Sequence, residues 1–398
     1  MVQTSRCAVL GIAVATTLAG CGGSTAPAGT ASPYVIHAVL AETGTAAFLG
    51  TGEAAALRAL TKQVNDKGGI DGHPIQMDIA DNQSNPATAV SVAQPWVSSG
   101  VPFILNGSVV ATNKAVDALA TSAGPFIYDL SPGTHPTPGS MIFSAGLSTT
   151  FDAAAYLTFL KSKGLTNIAA ITSTDGSGID GFSQLQAALR KPEFSSFHLL
   201  THQAFDPTAV SVTTQLSVIK AANPQALIIW TTGTPLGVVL NGMLSLGMES
   251  IPTVTTDGNA SSAELKHFAS ILPQQIFFPT GPLYVPASQL PEGPVKSAVS
   301  TFDSAVSSGQ GVGGDAWGLA WDPAQLLIGA IKHLGVSATA PQILDYMQNL
   351  KDVPGVFGTY NTTESDHRGL AVEDVYISSW NGTTFVPKSG PGGTPMAG

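Results

Sequence analysis

The sequence predicts an α/β protein of two lobes, each built on a mainly parallel sheet flanked by helices. Three observations carry this expectation. Short apolar runs of strand length alternate with amphipathic stretches from Tyr34 to Trp380, and such alternation implies βαβ units. Loops rich in Gly, Ser, Thr and Asp follow the apolar runs. The length, 398 residues, is long for one domain and comfortable for two.

Tyr34 to Leu40 is a near-continuous apolar run, as expected of a strand covered on both faces. His37 within it reads as a packed or edge histidine. The loop Glu42 to Gly50 follows. Leu57, Leu60, Thr61 and Val64 then recur at helical spacing, with Glu53, Arg58, Lys62 and Asp66 assigned to the other face. Gly68 and Gly69 stop that helix, because glycine enters the left-handed region at little cost. Ile75, Met77 and Ile79 alternate with polar or small residues, which is strand periodicity. Asn85 is an N-cap with Pro86 at the first helical position, and Pro95 then either kinks the helix drawn to Val97 or ends it early. The half-buried run Val101 to Leu105, a helix over Thr112 to Ser122 and the strand Phe126 to Tyr128 complete the first series.

A second series begins near Ser148, with a helix stopping at Gly164 and a strand from Ile168 to Thr172. Thr174 to Gly178 is a loop before a helix ending about Arg190. A strand near Leu199, a helix through Val212, Leu216 and Ile219, and the strand Ala226 to Trp230 come next. The loop Thr231 to Pro235 opens another helix, and the strand Ile251 to Thr255 ends at Asp257 to Asn259. Beyond Phe277-Phe278-Pro279 lies a proline-rich passage, then helices through Phe302, Trp317 to Leu334 and Ile343 to Leu350. The strand Val372 to Trp380 closes the fold, and residues 387–398 read as an unordered Gly/Pro tail.

Charged residues are scarce at 11%, the net charge is −10, and no basic stripe occurs, so nucleic acid is a poor partner. Arg6 and the apolar stretch Ala8 to Ala19 form an export signal too short to span a bilayer. Leu18-Ala19-Gly20-Cys21 resembles the lipobox of bacterial lipoproteins, in which the cysteine is lipidated after cleavage. Cys21 would then be the one cysteine of the mature chain, and residues 21–33 a flexible tether. No later run of about 20 apolar residues offers a transmembrane helix, so the membrane is reached by the lipid anchor only.

The corner Asn65-Asp66-Lys67-Gly68-Gly69-Ile70-Asp71-Gly72, followed by Asp81 and Asn85-Pro86-Ala87-Thr88-Ala89, resembles the type I periplasmic binding proteins. Within them it is most similar to branched-chain amino-acid receptors of ABC importers. The residues alone support two lobes without dividing the chain between them. The resemblance implies two Rossmann-like lobes joined by three crossovers, near Ala145-Gly146, Phe278 to Thr280 and Gly355 to Gly358. Lobe one would be 34–145 with 281–355, and lobe two 146–280 with 356–386, after a signal over 1–20. It further implies a monomer that delivers a small-molecule ligand to an ABC permease outside the cytoplasm, with no cofactor and no catalysis.

In open parallel sheets, ligands bind beyond the carboxyl ends of the strands, at helix N-termini. The loops so placed are Thr43 to Gly50, Gly107 to Thr112 and Asp129 to Gly133 in lobe one, and Thr174 to Gly178, Thr231 to Thr234 and Asp257 to Asn259 in lobe two. From these the candidate ligand residues are Phe48, Ser108, Val109, Asp129, Leu130, Ser131, Gly178, Thr232 and Asp257. The resemblance gives Ser108, Val109 and Ser131 the hydroxyl and amide positions that hold a ligand carboxylate, and Asp257 the acid facing an ammonium. It also implies aromatics where Gly178 stands and near Gly233, and both are missing. The paired histidines His198 and His202 fall on a strand without a third ligand, so no metal is expected. No nucleophile elbow or Walker A motif occurs, which disfavours a hydrolase. A sensor of the same fold remains the alternative to a transport receptor.

Overall fold

The structure, a computed structural model, describes residues 31–307 and 314–396. Cys21 and the apolar segment before it lie outside the described residues. The first series is β1 (Tyr34–Leu40), α1 (Ala47–Asp66), β2 (Ile75–Asp81), α2 (Pro86–Ser98), β3 (Phe103–Asn106), α3 (Val110–Asp117), β4 (Phe126–Asp129) and β5 (Ile142–Ser144). These strands form one sheet in the order β2-β1-β3-β4-β5, every pair parallel. The glycine corner behaves as its chemistry requires: Gly68 and Gly69 have φ of +94° and +77°. Asn85 caps α2 by accepting from the amides of Ala87 and Thr88. Pro95 does not end that helix, which runs on to Ser98. His37 is paired at 3.0 Å with Asp78 on the neighbouring strand.

The second series is α4 (Thr149–Ser162), β6 (Asn167–Ser173), α5 (Gly176–Leu189), β7 (His198–Phe205), α6 (Thr213–Ala222), β8 (Ala226–Trp230), α7 (Thr234–Ser245), β9 (Thr253–Thr255), α8 (Ser262–His267) and β10 (Ile276–Thr280). The chain then returns to the first sheet with α9 (Pro294–Ser307), α10 (Asp315–Leu334) and α11 (Ala340–Met347). α10 packs along α1, where Trp317 lies against Gly52. A short hairpin, β11 (Val353–Pro354) and β12 (Thr359–Tyr360), precedes β13 (Tyr376–Trp380) and β14 (Phe385–Pro387). The second sheet has the order β14-β13-β10-β9-β8-β6-β7. Its parallel part, β7-β6-β8-β9-β10, repeats the order of the first sheet, and β13 and β14 add antiparallel strands at its edge.

Three passages join the lobes, and two of them touch. Leu283 donates its amide to the Val356 carbonyl at 3.0 Å, and Phe357 packs on Gly281. Asp322 of α10 holds this junction by accepting from the amides of Val356 and Phe357 and the hydroxyl of Tyr360. The third passage ends later than Gly358. Residues 361–368 lie back on the first lobe, where Ser144 and His367 bond through their main chains and His367 Nδ1 meets the Ile142 carbonyl.

Three expectations are corrected. Glu53, assigned to the outer face of its helix, is fully buried. The helix expected over Thr112 to Ser122 ends at Asp117. The tail is not unordered over 387–396, because its backbone is bonded into the second lobe. Lys388 donates to Ile377, Gly392 donates to Val375, and Gly393 sits against the Ala155 carbonyl. His198 and His202 do lie on a strand, and His202 stacks on Phe182 at 3.4 Å between ring centroids.

Candidate inter-lobe binding site

Both sheets change winding direction between their first and third strands in order, β1 and β3 in one lobe, β6 and β8 in the other. A doubly wound sheet opens a crevice at that place. The loops after β1 and β3 therefore face those after β6 and β8. The contacts confirm that the two sets meet. A Cβ built on Gly233 would lie 2.6 Å from Phe48 Cε1. Val110 of the first lobe reaches to 3.1 Å of the same position on Gly176 of the second. His135 of the first lobe pairs with Asp180 of α5 at 2.8 Å.

On the second lobe, Ser177 and Thr232 share a hydrogen bond of 3.1 Å, and Thr232 lies against Gly258. Asp257 beside them is buried, accepting from the Thr256 hydroxyl at 2.6 Å and the Gly258 amide at 2.8 Å. Burial pushes its carboxyl up from the ordinary range, while those hydrogen bonds and the charge of Arg368 oppose the rise. Asn259 holds the neighbouring loop: its amide accepts from Gly233 N and donates to the Thr231 carbonyl and the Thr255 hydroxyl.

On the first lobe, the Ser108 amide donates to Glu53 Oε1 at 2.9 Å and is thereby used. Burial raises the Glu53 carboxyl to about 7, against the hydrogen bonds from Ser108. Val109 is the N-cap of α3, its carbonyl accepting from the Asn113 amide and the Thr112 hydroxyl. Ser131 is buried, its carbonyl held by Ser144 Oγ and its hydroxyl 3.8 Å from the Cβ position of Gly133.

Phe48, Ser131, Thr232 and Asp257 thus sit at or beside the seam. Three expected residues do not. Asp129 is buried beneath α3, bonded to Asn106 at 2.8 Å and paired with Asp117. Leu130 belongs to the apolar core. Gly178 faces its own strand, because a Cβ there would come within 1.9 Å of the Ser173 carbonyl oxygen. No aromatic fits that position. The ring missing near Gly233 is offset by Phe48, which arrives from the opposite lobe.

Sequence reasoning passed over Glu53, His135, Asp180 and Arg368. Glu53 carried a signal in retrospect, since it lies one helical turn before the inward Leu57. Among the described residues, no group of three His, Cys, Asp or Glu side chains is placed to hold a metal ion, and no helix is long and apolar enough to cross a membrane.

Comparison with known proteins bears on family and fold. The family model described as "Periplasmic binding protein" matches residues 33–385. The Leu/Ile/Val-binding protein homolog 1 of Brucella abortus (strain 2308) is 34% identical over 95 residues, which is 24% of this chain and 25% of that protein. The match thus spans about a quarter of that curated relative's length. An extracellular ligand-binding receptor from Rhodopseudomonas palustris HaA2 superposes with a TM-score of 0.79 at 21% identity, covering 89% of this chain and 99% of its own. The substrate-binding protein LivJ from Streptococcus pneumoniae, solved in complex with isoleucine, gives 0.74 at 18% identity, covering 89% and 99%. A solute-binding protein from R. palustris, solved in complex with benzoate, gives 0.75 at 16% identity, covering 92% and 98%. At these identities the structures establish the fold.

Proposed function

The chain belongs to the periplasmic binding protein family, and on that premise we propose that it captures a small polar ligand, an amino acid or a related amide or carboxylate, between its two lobes. The observation that carries this reading is the meeting of two switch-point crevices across one seam, with Phe48 of one lobe resting on Gly233 of the other. Ser131 and the neighbouring loop of lobe one supply hydroxyl and amide contacts, and Thr232 and Asp257 of lobe two complete them. The lobes divide as 34–145 with 281–355 and 146–280 with 371–396, residues 356–370 spanning the hinge. Closure about the passages presents the ligand-bound form to an ABC permease. The protein works as a monomer without catalysis or cofactor, and is anchored outside the cell membrane by a lipid on Cys21.

A thermal-shift screen with isoleucine, benzoate, acetamide and short peptides tests the reading. A true ligand at 100 times its dissociation constant adds about 2.7 kcal/mol. Asp257→Asn separates the ligand classes. Opposite an ammonium it costs about 2–5 kcal/mol of affinity, whereas a neutral hydrogen bond costs about 0.5–1.5 kcal/mol. An unchanged affinity removes Asp257 from the site. The anchor is tested by mass spectrometry of the mature N-terminus, where an unmodified Cys21 defeats it.

A further inference from the structure

Among the described residues, Arg368 is the one Lys or Arg side chain that is buried. It arrives on the turn Thr363 to Asp366, whose Asp366 Oδ1 accepts the amides of Arg368 and Gly369 at 3.0 and 3.1 Å and so fixes the backbone beneath the side chain. Its Nη1 donates to the carbonyls of Ala145 at 2.6 Å and Gly146 at 2.9 Å. Its Nη2 donates to the carbonyls of Pro132 at 3.0 Å and Thr134 at 2.7 Å, and to Ser144 Oγ at 2.6 Å. One planar fork thus holds two segments at once, the loop after β4 and the first inter-lobe passage, and it is delivered from the third passage. A lysine has no such fork and is more strongly hydrated.

We propose that Arg368 is a positioning residue for the binding cleft: its guanidinium locks the Ser131 to Thr134 loop to the first and third inter-lobe passages. The inference deepens the cleft reading above. Hinge movement and the shape of the lobe-one ligand loop are then mechanically linked, because the same side chain holds both.

The test uses the whole ligand-free chain, so a wrong ligand class leaves it standing. Arg368→Lys keeps the charge and loses the fork; Arg368→Gln loses both. Hydrogen exchange of peptides over 130–136 and 143–148 reports the lock. In both variants exchange rises at least tenfold in those two peptides and stays as it was over the second sheet. Unchanged exchange at 130–136 in the lysine variant overturns the proposal. A rise spread equally over the second sheet also overturns it, since that marks a general loss of stability. Should the glutamine variant not fold, the lysine variant decides alone.

Discussion

The loops Gly107 to Val109 and Thr231 to Gly233 occupy equivalent places, each after the third strand in order of its sheet, yet different chemistry holds them. In the first lobe a buried carboxylate, Glu53, takes the Ser108 amide at 2.9 Å, and an acid pair, Asp117 at the end of α3 with Asp129 at the end of β4, lies close by. In the second lobe the neutral amide of Asn259 takes the Gly233 amide at 2.9 Å and returns its own protons to Thr231 and Thr255. A carboxyl titrates and a carboxamide does not. The Gly107 to Val109 loop is therefore held by a group that titrates, and the Thr231 to Gly233 loop by one that does not.

The strongest challenge to that contrast is Asn259→Ala. It leaves the Gly233 amide and the Thr231 carbonyl without their partner in a buried place, at about 1–3 kcal/mol for each unsatisfied group. The total loss is expected at roughly 3 kcal/mol by urea unfolding, and equal at acid and neutral pH. A loss below about 1 kcal/mol, or one that varies with pH, would mean that the amide is not the prop.

The complementary variant is Glu53→Gln. The folded protein holds the Glu53 proton more tightly than the unfolded chain, since burial raises it from 4.5 to about 7. Its stabilisation is thus complete below pH 4.5 and is lost as pH rises through about 7. Asp117 acts in the same direction: burial and the neighbouring Asp129 carboxylate push it to about 9. The wild type should lose stability steadily from weakly acid to alkaline pH. Glu53→Gln should remove about 3 kcal/mol of that fall, and Asp117→Asn should remove its alkaline end. Calorimetry across this range checks both, and a wild type most stable at alkaline pH contradicts the assignment.

The alternation of strands and helices was legible in the sequence because burial imposes period and length on each element, as in Ala226 to Trp230, which is buried throughout. Capping chemistry was legible for the same local reason, at Asn85 and Gly68. The cleft was read less well, because side-chain direction at a strand end is settled by tertiary contacts. Asp129 and Leu130 stand at the right height and point into the lobe instead. Gly178 was taken for a missing aromatic, although its lack of a side chain is what lets α5 approach Ser173. Arg368 gave no periodic signal: its partners lie more than two hundred residues earlier in the chain. The tail misled by composition, since Gly and Pro can still bond through their backbones.

Across the seam, Gly233 bears on the loop that Asn259 holds. Its φ of +78° disfavours any side chain, and a Cβ would strike Phe48 at 2.6 Å. Gly233→Ala should cost about 1–2 kcal/mol of stability from the backbone alone, and in addition should hold the lobes apart. Adding Phe48→Ala relieves the second effect and not the first. Scattering at saturating ligand separates them, because compaction returns in the double variant while the unfolding loss stays. A double variant that is equally open would assign the opening to the loop backbone.

The smallest expected effect belongs to His135 and Asp180, the hydrogen-bonded pair that spans the lobes at their rim. Its bond is 2.8 Å long, with the two side chains 42% and 13% exposed. Exposed pairs are worth about 0–1 kcal/mol and fade with salt. His135→Gln keeps a donor for Asp180 Oδ1 and should leave ligand affinity within about twofold. His135→Ala should weaken it by less than about fivefold, and less still at high salt. The risk to this expectation lies in the other oxygen, since Asp180 Oδ2 is buried without a hydrogen-bond partner, 3.6 Å from the Cβ position of Gly133. Removing the histidine could then leave a desolvated charge rather than a rim acid, and the loss would exceed tenfold and resist salt. That result would move Asp180 from the rim into the ligand site.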